Sequence, residues 1–314
     1  MKKPDIKKGG KTVKSSSGAS RRAVLAGGLG AALATASMPS AAYASVPESE
    51  SARKLRDLER DHAARLGVFG WNTATGKVVL HRGDERFPMC SAFKTLAVGA
   101  VLRDLDHDGT FLSKVIHYTE QDIERAGGAP VTGLCENLAQ GMTVKALCGA
   151  AISQSDNTAA NLLLEELGGP TSVTRFCRSI GDTVTRLDRW EPELNSAEPE
   201  RLTDTTSPRA IGRSYARLAL GHVLEAGDRE RLTGWLLANT TGGERLRAGL
   251  PEDWTVGDKT GTGRYGTTND VGIAWPSRRG PIVMAVLSTQ HAEDAQADDL
   301  LIAEAAAVLV PALT

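Results

Sequence analysis

The chain has 314 residues, 41% of them hydrophobic and 24% charged, with a formal net charge of −1. This is ordinary soluble globular composition, long enough for one large domain or two modest ones. The charge is unevenly spread: residues 1–44 hold eight Lys/Arg and one acid, Asp5, leaving 29 basic and 37 acidic residues, a net of −8, in the rest. A basic start on an acidic body is a targeting pattern and excludes a nucleic-acid-binding patch.

The leader supports this. Ser20-Arg21-Arg22-Ala23-Val24-Leu25 resembles a twin-arginine export signal, and an uncharged Ala/Gly-rich run reaches Ala44. Ala42-Tyr43-Ala44 satisfies the small-x-small cleavage rule, so residues 1–44 are expected to be a signal peptide cut before Ser45. The run is too poor in large apolar residues to be a stable membrane anchor. Cys90, Cys135, Cys148 and Cys177 form no C-x-x-C, and the six histidines form no H-x-H or H-E-x-x-H, so neither a metal site nor a cofactor is expected.

Beyond the leader, 45–66 has Leu55, Leu58 and Leu66 at near-helical spacing and predicts an amphipathic helix. Residues 66–72 and 77–81 predict two strands joined by a turn with Gly76. The run from Ser91 to Leu102 is small, apolar and without proline, which predicts a helix starting at or near Ser91. Asp104-Leu105-Asp106-His107-Asp108-Gly109 begins like a calcium loop, but the twelfth position is Val115, so it reads as a helix-ending turn. Helices follow at 143–154, 157–167 and 171–181, then a polar, proline-bearing loop at 188–208. Two more helices are predicted at 207–225 and 229–239, strands at 254–261, 270–275 and 281–288, and a closing helix at 295–310. Two strands near the start and three near the end imply an α+β fold, α/β/α sandwich-like. A five-stranded antiparallel sheet from both chain ends would carry flanking helices and an inserted helical lobe. The boundaries expected are 45–84 with 238–314 for the α/β domain and 85–237, including the loop 189–204, for the helical one.

Three short motifs carry chemistry. In Ser91-Ala92-Phe93-Lys94 a helical spacing of three brings a hydroxyl and an amine to one face, at a helix end that favours negative charge. Ser51-Ala52-Arg53-Lys54 matches the same pattern in a charged segment with no pocket in prospect. Ser155-Asp156-Asn157 lies at a tight junction between two helices, where Asp156 or Asn157 would also serve as a cap. Lys259-Thr260-Gly261 ends a strand, where Gly261 and Gly263 allow close approach to the backbone. In the long loop, Glu191 and Asn195 are four apart and able to hold one water between them.

Together and in this order, the three motifs resemble those of class A serine β-lactamases, within the penicillin-recognising enzymes. The likeness covers the whole chain after the leader, and Glu191-x-Glu193-Leu194-Asn195 separates it from cell-wall peptidases. It implies hydrolysis of the β-lactam amide of penicillins or cephalosporins through a serine acyl-enzyme, and hence antibiotic resistance. Ser91 would be the nucleophile, with Lys94 or Glu191 accepting its proton. Ser155 would relay a proton to the leaving nitrogen, and Glu191 with Asn195 would activate the deacylating water. Asn157 would bind the substrate amide; Lys259, Thr260, Gly261, Thr262 and Arg245 would surround the substrate carboxylate. The backbone N–H groups of Ser91 and Thr262 would form the oxyanion hole, and Arg189 and Asp204 an ion pair pinning the loop. The resemblance further implies a cis Glu191–Pro192 bond, a monomer, and a secreted or periplasmic location. Its departures are Gly263 opposite Cys90, where some relatives bridge two cysteines; Val98 opposite Cys148; Thr268 in place of a carboxylate-binding arginine; and Gly128 in place of a cleft-edge aromatic. A β-lactam-inhibited cell-wall DD-peptidase and a β-lactam sensor are the alternatives. The reading depends on hydroxyl, amine and loop acid meeting at a water-sized gap in the cleft between the lobes.

Overall fold

A computed structural model describes residues 49–277 and 279–314 of the chain. The leader and its cleavage before Ser45 lie outside the described residues. The described residues form one compact unit.

Helix α1 (Glu50–Asp61) begins at Ser49, whose hydroxyl accepts from the Ala52 N–H, and buries Leu55. It is shorter than its leucine spacing predicts, because the chain turns left-handed at Ala63 (φ 48°) to enter the sheet. Strands β1 (Arg65–Asn72) and β2 (Val78–His81) form the expected hairpin, with Asn72 Oδ1 accepting from the Ala74 and Thr75 N–H groups in the turn.

The middle of the chain is mostly helical, punctuated by the two-residue strands β3 (Phe87–Pro88), β4 (Val115–Ile116), β5 (Met142–Thr143) and β6 (Thr205–Thr206). Its helices are α2 (Lys94–Ala100), α3 (Glu120–Ala126), α4 (Cys135–Gln140), α5 (Val144–Ser153), α6 (Asn157–Glu166), α7 (Thr171–Ser179), α8 (Pro208–Ala219) and α9 (Ala226–Leu237). Ser91 precedes the α-helix that its sequence predicts it to start. It occupies one 3₁₀ turn, Cys90–Phe93, entered through the left-handed Cys90 (φ 45°), and regular α geometry begins at Lys94. The acidic run beyond ends the helix as expected: Asp106 accepts from the Leu112 N–H and Asp108 from Thr110.

Strands β7 (Thr255–Thr262), β8 (Thr268–Trp275) and β9 (Ile282–Thr289) complete the sheet, and α10 (Asp299–Leu313) closes the chain. The sheet order is β2-β1-β9-β8-β7, antiparallel throughout, so the two chain ends supply one five-stranded sheet in an α+β fold. Strands β1, β8 and β9 bury apolar residues on both faces, and each face has its own core. One packs Leu66, Val68, Met284 and Val286 against Leu55 and the α10 residues Ile302 and Leu309. The other packs Phe69, Val271, Ile273 and Ala285 continuously with the helical residues Phe93, Leu96, Leu147, Leu163 and Ile211. The second core anchors the Ser91 turn beside the sheet.

Candidate active site

Three pieces of chain converge around the Ser91 turn. Strand β7 approaches closely: a β-carbon added at Gly261 would lie 2.6 Å from Met89 O and 3.2 Å from Ala92 N. Asn269 of β8 donates to Pro88 O and Met89 O, and Tyr215 of α8 to Ala92 O at 2.7 Å, so the turn is held from two sides. The third piece is the long loop. Its ends are drawn together by the Asp204 carboxylate, which accepts from Arg189 Nε at 2.5 Å and from the backbone N–H groups of Asp188 and Arg189, and the β3–β6 ladder ties its far end to the segment before Ser91. The expected Arg189–Asp204 pair is therefore present as a neck, and Met89 N–H donates to Asp204 O, tying the neck to the Ser91 turn.

The loop delivers Glu191 into the interior. The Glu191–Pro192 bond is cis, and Asn161 grips the Glu191 backbone from both sides, accepting from its N–H at 3.0 Å and donating to its C=O at 2.9 Å. Sequence reasoning passed over Asn161. The available signal was a lone amide in the apolar run Ala159-Ala160-Asn161-Leu162-Leu163-Leu164, one helical turn after Asn157.

Glu191 and Lys94 are fully buried, with Ser91 8% exposed beside them. Ser91 Oγ donates directly to Glu191 Oε1 at 3.2 Å, and Asn195 Nδ2 donates to Glu191 Oε2. These contacts are closer than the expected water-sized gap: a buried carboxylate is stabilised by filling its acceptor positions, and here Lys94, Ser91 and Asn195 fill them. Ser91 and Lys94 share no hydrogen bond. The Lys94 ammonium has three donors, and three oxygens take them: Asn157 Oδ1 at 2.6 Å, Ser155 O at 2.7 Å and Glu191 Oε1 at 3.1 Å. Burial lowers the Lys94 pKa, opposed by the Glu191 charge.

Ser155 projects from the α5–α6 junction in a left-handed conformation (φ 57°), its hydroxyl 3.0 Å from Lys259 Nζ and 3.5 Å from Lys94 Nζ. Its neighbour Asp156 is a structural cap. It accepts from the Ala159 N–H of α6 and from the N–H groups of Val131 and Thr132, with the Thr132 hydroxyl as a further donor. Asp156→Ala would leave these buried donors unpaired. We expect a loss of about 3 kcal/mol or more, read as a lower midpoint in urea at unchanged slope. Asn157 donates to Ala126 O, and its backbone N–H to Gly128 O, which puts Gly128 beside it.

Across the cleft, Lys259 is fully buried and Thr260 Oγ1 lies 2.5 Å from the Thr241 hydroxyl. Thr262 is exposed. Arg245 stands behind it, donating to Thr262 Oγ1 at 2.7 Å, to the carbonyls of Gly261 and Asn269, and to Asp299. Four of its five N–H donors are thus used within the protein, and its reach into the cleft runs through Thr262. A β-carbon at Gly263 would lie 2.7 Å from Cys90 Sγ and 2.7 Å from Asn195 O, so Gly263 does stand opposite Cys90. All four cysteines are unbridged. The second Ser-x-x-Lys match lies on α1, where Lys54 pairs with Glu50 on the surface.

Burial, helped by the Lys94 charge, lowers the Lys259 pKa to about 7, against the pull of Asp258 and Asp270. Lysine is charged below that value and neutral above it, so attraction for an anionic ligand is present at lower pH and lost as pH rises through about 7. For a carboxylate-bearing substrate we expect kcat/KM to fall roughly tenfold between pH 6 and 8 through this group. A pH–rate profile flat across that range would contradict the assignment.

A buried serine bonded to a carboxylate, that carboxylate bonded to a lysine, and a second lysine across a cleft together define a serine hydrolase site for an anionic substrate. Residues 50–313 match the model of the β-lactamase enzyme family. The chain is 63% identical to a β-lactamase of Streptomyces lavendulae over 296 residues, covering 94% of this chain and 97% of that one. It is similar to the solved structure of the β-lactamase from Streptomyces albus G, with a TM-score of 0.84 and 62% identity over 85% of this chain and 100% of that one. A β-lactamase structure from Desulfarculus baarsii matches with a TM-score of 0.81 and 45% identity, over 83% and 96% of the two chains. The chain belongs to the β-lactamase enzyme family, as a class A serine β-lactamase.

Proposed function

We propose that the enzyme opens penicillins and cephalosporins through an acyl-enzyme on Ser91 and releases it with water activated by Glu191, so conferring resistance. The observation that carries this reading is the Glu191 carboxylate, bonded at once to Ser91 Oγ and Lys94 Nζ.

In acylation, Ser91 Oγ bonds to the lactam carbonyl carbon as its proton passes to Glu191, the group it already touches. The carbonyl oxygen takes up negative charge facing the backbone N–H groups of Ser91 and Thr262, each such donor being worth about 3 kcal/mol. The C–N bond then breaks, and the nitrogen takes a proton from Ser155 Oγ, which is resupplied by Lys94; the proton that Glu191 took from Ser91 passes to Lys94, so Glu191 is a carboxylate again before deacylation. Lys259, Thr260 and Thr262, with Arg245 behind, bind the substrate carboxylate, Gly261 lets the strand approach, and Asn157 holds the side-chain amide. In deacylation, Glu191 takes a proton from a water oriented with Asn195. The hydroxide attacks the ester carbon, and the proton returns to Ser91 as the C–O bond breaks. Ser91→Ala should abolish turnover of a chromogenic cephalosporin. Retained turnover in that variant would refute the nucleophile.

The two-lobe division at 45–84 with 238–314 and 85–237, with the reaction at the junction, is part of this proposal, as are a monomeric state and export by the twin-arginine machinery to a secreted or periplasmic location. Ser20-Arg21-Arg22 and Ala42-Tyr43-Ala44 support the export route. Among the described residues no helix is long and apolar enough to cross a membrane. N-terminal sequencing of exported protein should begin at Ser45, and an intact Met1 would overturn the leader. Light scattering should give the mass of one chain, and a dimer mass would overturn the monomer.

A further inference from the structure

A cavity of about 510 Å³ lies between α3, α6 and the long loop, and of the residues given catalytic roles only Glu191 lines it. Its size is within the range of small-molecule sites. The α6 wall is a single stripe, Thr158, Asn161, Leu162 and Glu165, at the one-face spacing of a helix. Opposite stand Trp190, half-buried, and Glu193.

Three features of this wall lack partners. Thr158 is 1% exposed, and its hydroxyl has no hydrogen-bond partner. Neither the Glu165 nor the Glu193 side chain forms a hydrogen bond or salt bridge among the described residues. Arg189 is committed to Asp204, and the mostly exposed Arg125 stands 3.8 Å from Asp122. Asp188 is neutralised by Arg186. The cavity therefore offers two carboxylates without a hydrogen-bonded partner, an unpaired buried hydroxyl and the Trp190 indole. Burial, then the nearby Asp122 charge, raises the Glu165 pKa against the pull of Arg125, a cost that a bound cation would relieve.

We propose that this cavity is a second ligand site that takes small planar aromatic cations of the amidinium class. The ring lies against Trp190, the amidinium pairs with Glu165, and an amidinium N–H donates to Thr158 Oγ1. Asn161 belongs both to the cavity wall and to the clamp on the Glu191 backbone, so occupancy reaches the deacylating carboxylate through it. The kinetic half of this inference rests on the deacylation role proposed above; the binding half does not.

Benzamidine is the probe. It is titrated calorimetrically into the full-length folded enzyme, free and with Ser91 capped by a phenylboronic acid. We expect saturable binding that survives the cap and weakens about tenfold in Glu165→Gln and in Thr158→Val. Glu165 is exposed, so the first variant tests the site even if the second fails to fold. In single-turnover kinetics, saturating benzamidine should slow acyl-enzyme breakdown at least twofold. Absence of saturable binding, loss of binding on capping Ser91, or equal affinity in Glu165→Gln would overturn the site. Binding as expected with unaltered breakdown would overturn the coupling. Normal turnover in Glu191→Ala would instead strike the proposed mechanism and leave the binding result standing.

Discussion

Glu191→Ala should turn the enzyme into one that is consumed by its substrate. Without the carboxylate, breakdown of the acyl-enzyme is expected to slow by about 10³-fold, the scale of a positioned general base. Mass spectrometry on a penicillin-treated sample would then show the adduct on Ser91, and steady turnover would collapse after a burst. The geometry adds a second reading to the same experiment. Ser91 Oγ donates to Glu191 Oε1, whereas Lys94 directs its three donors to Asn157 Oδ1, Ser155 O and Glu191 Oε1 and none to Ser91. If Glu191 also accepts the serine proton, the burst itself slows in this variant. A burst of unchanged speed assigns that step to Lys94, whose pKa burial lowers towards the neutral, proton-accepting form. Unchanged steady turnover would remove Glu191 from the mechanism altogether.

Asp204→Ala should cost both stability and activity, although Asp204 touches no reacting atom. Its carboxylate is 1% exposed and satisfies the Arg189 guanidinium together with two backbone N–H groups at the loop neck. Removing it leaves two backbone donors unpaired and the partly buried Arg189 with only Ser196 and a 3.6 Å contact to Glu198, an expected loss of about 3–5 kcal/mol. In a unit of this size the midpoint temperature should fall by about 6–12 °C even at the lower figure. Because the neck positions the segment carrying Glu191, the kinetic loss should fall on acyl-enzyme breakdown more than on acylation. Asp204→Asn, which keeps an acceptor for a backbone N–H, should lie between the two. An Asp204→Ala enzyme with wild-type melting and turnover would show that the loop is held by its packing alone.

Most elements were legible before any coordinates. The strands have alternating or continuous apolar runs bounded by turn residues, and the helices of the middle region begin at Thr143, Asp156 and Ser207, whose side chains accept from the first turn. The Ser91 segment misled because its composition is that of a helix from the first residue, while the 3₁₀ turn there follows from the left-handed Cys90 and from contacts with β7 and β8. Asp156 shows the opposite case, a capping role visible in local spacing and observed with further partners from the distant 131–132 segment.

From the linear order came the candidate site residues, the α+β class and the assembly of one sheet from two chain ends, and the family resemblance added the departures at Gly263 and Gly128. Those properties are local or periodic, and short-range sterics and burial write them into composition and spacing. Tertiary structure decided which donor serves which acceptor: that Glu191 meets Ser91 directly, that Lys94 spends its protons on Asn157, Ser155 and Glu191, that Arg245 works through Thr262, and that Asn161 grips the loop. Hydrogen bonds are short and directional, and these partners lie from 17 to 100 residues apart in the chain. No pattern along the sequence measures the distances that select among them.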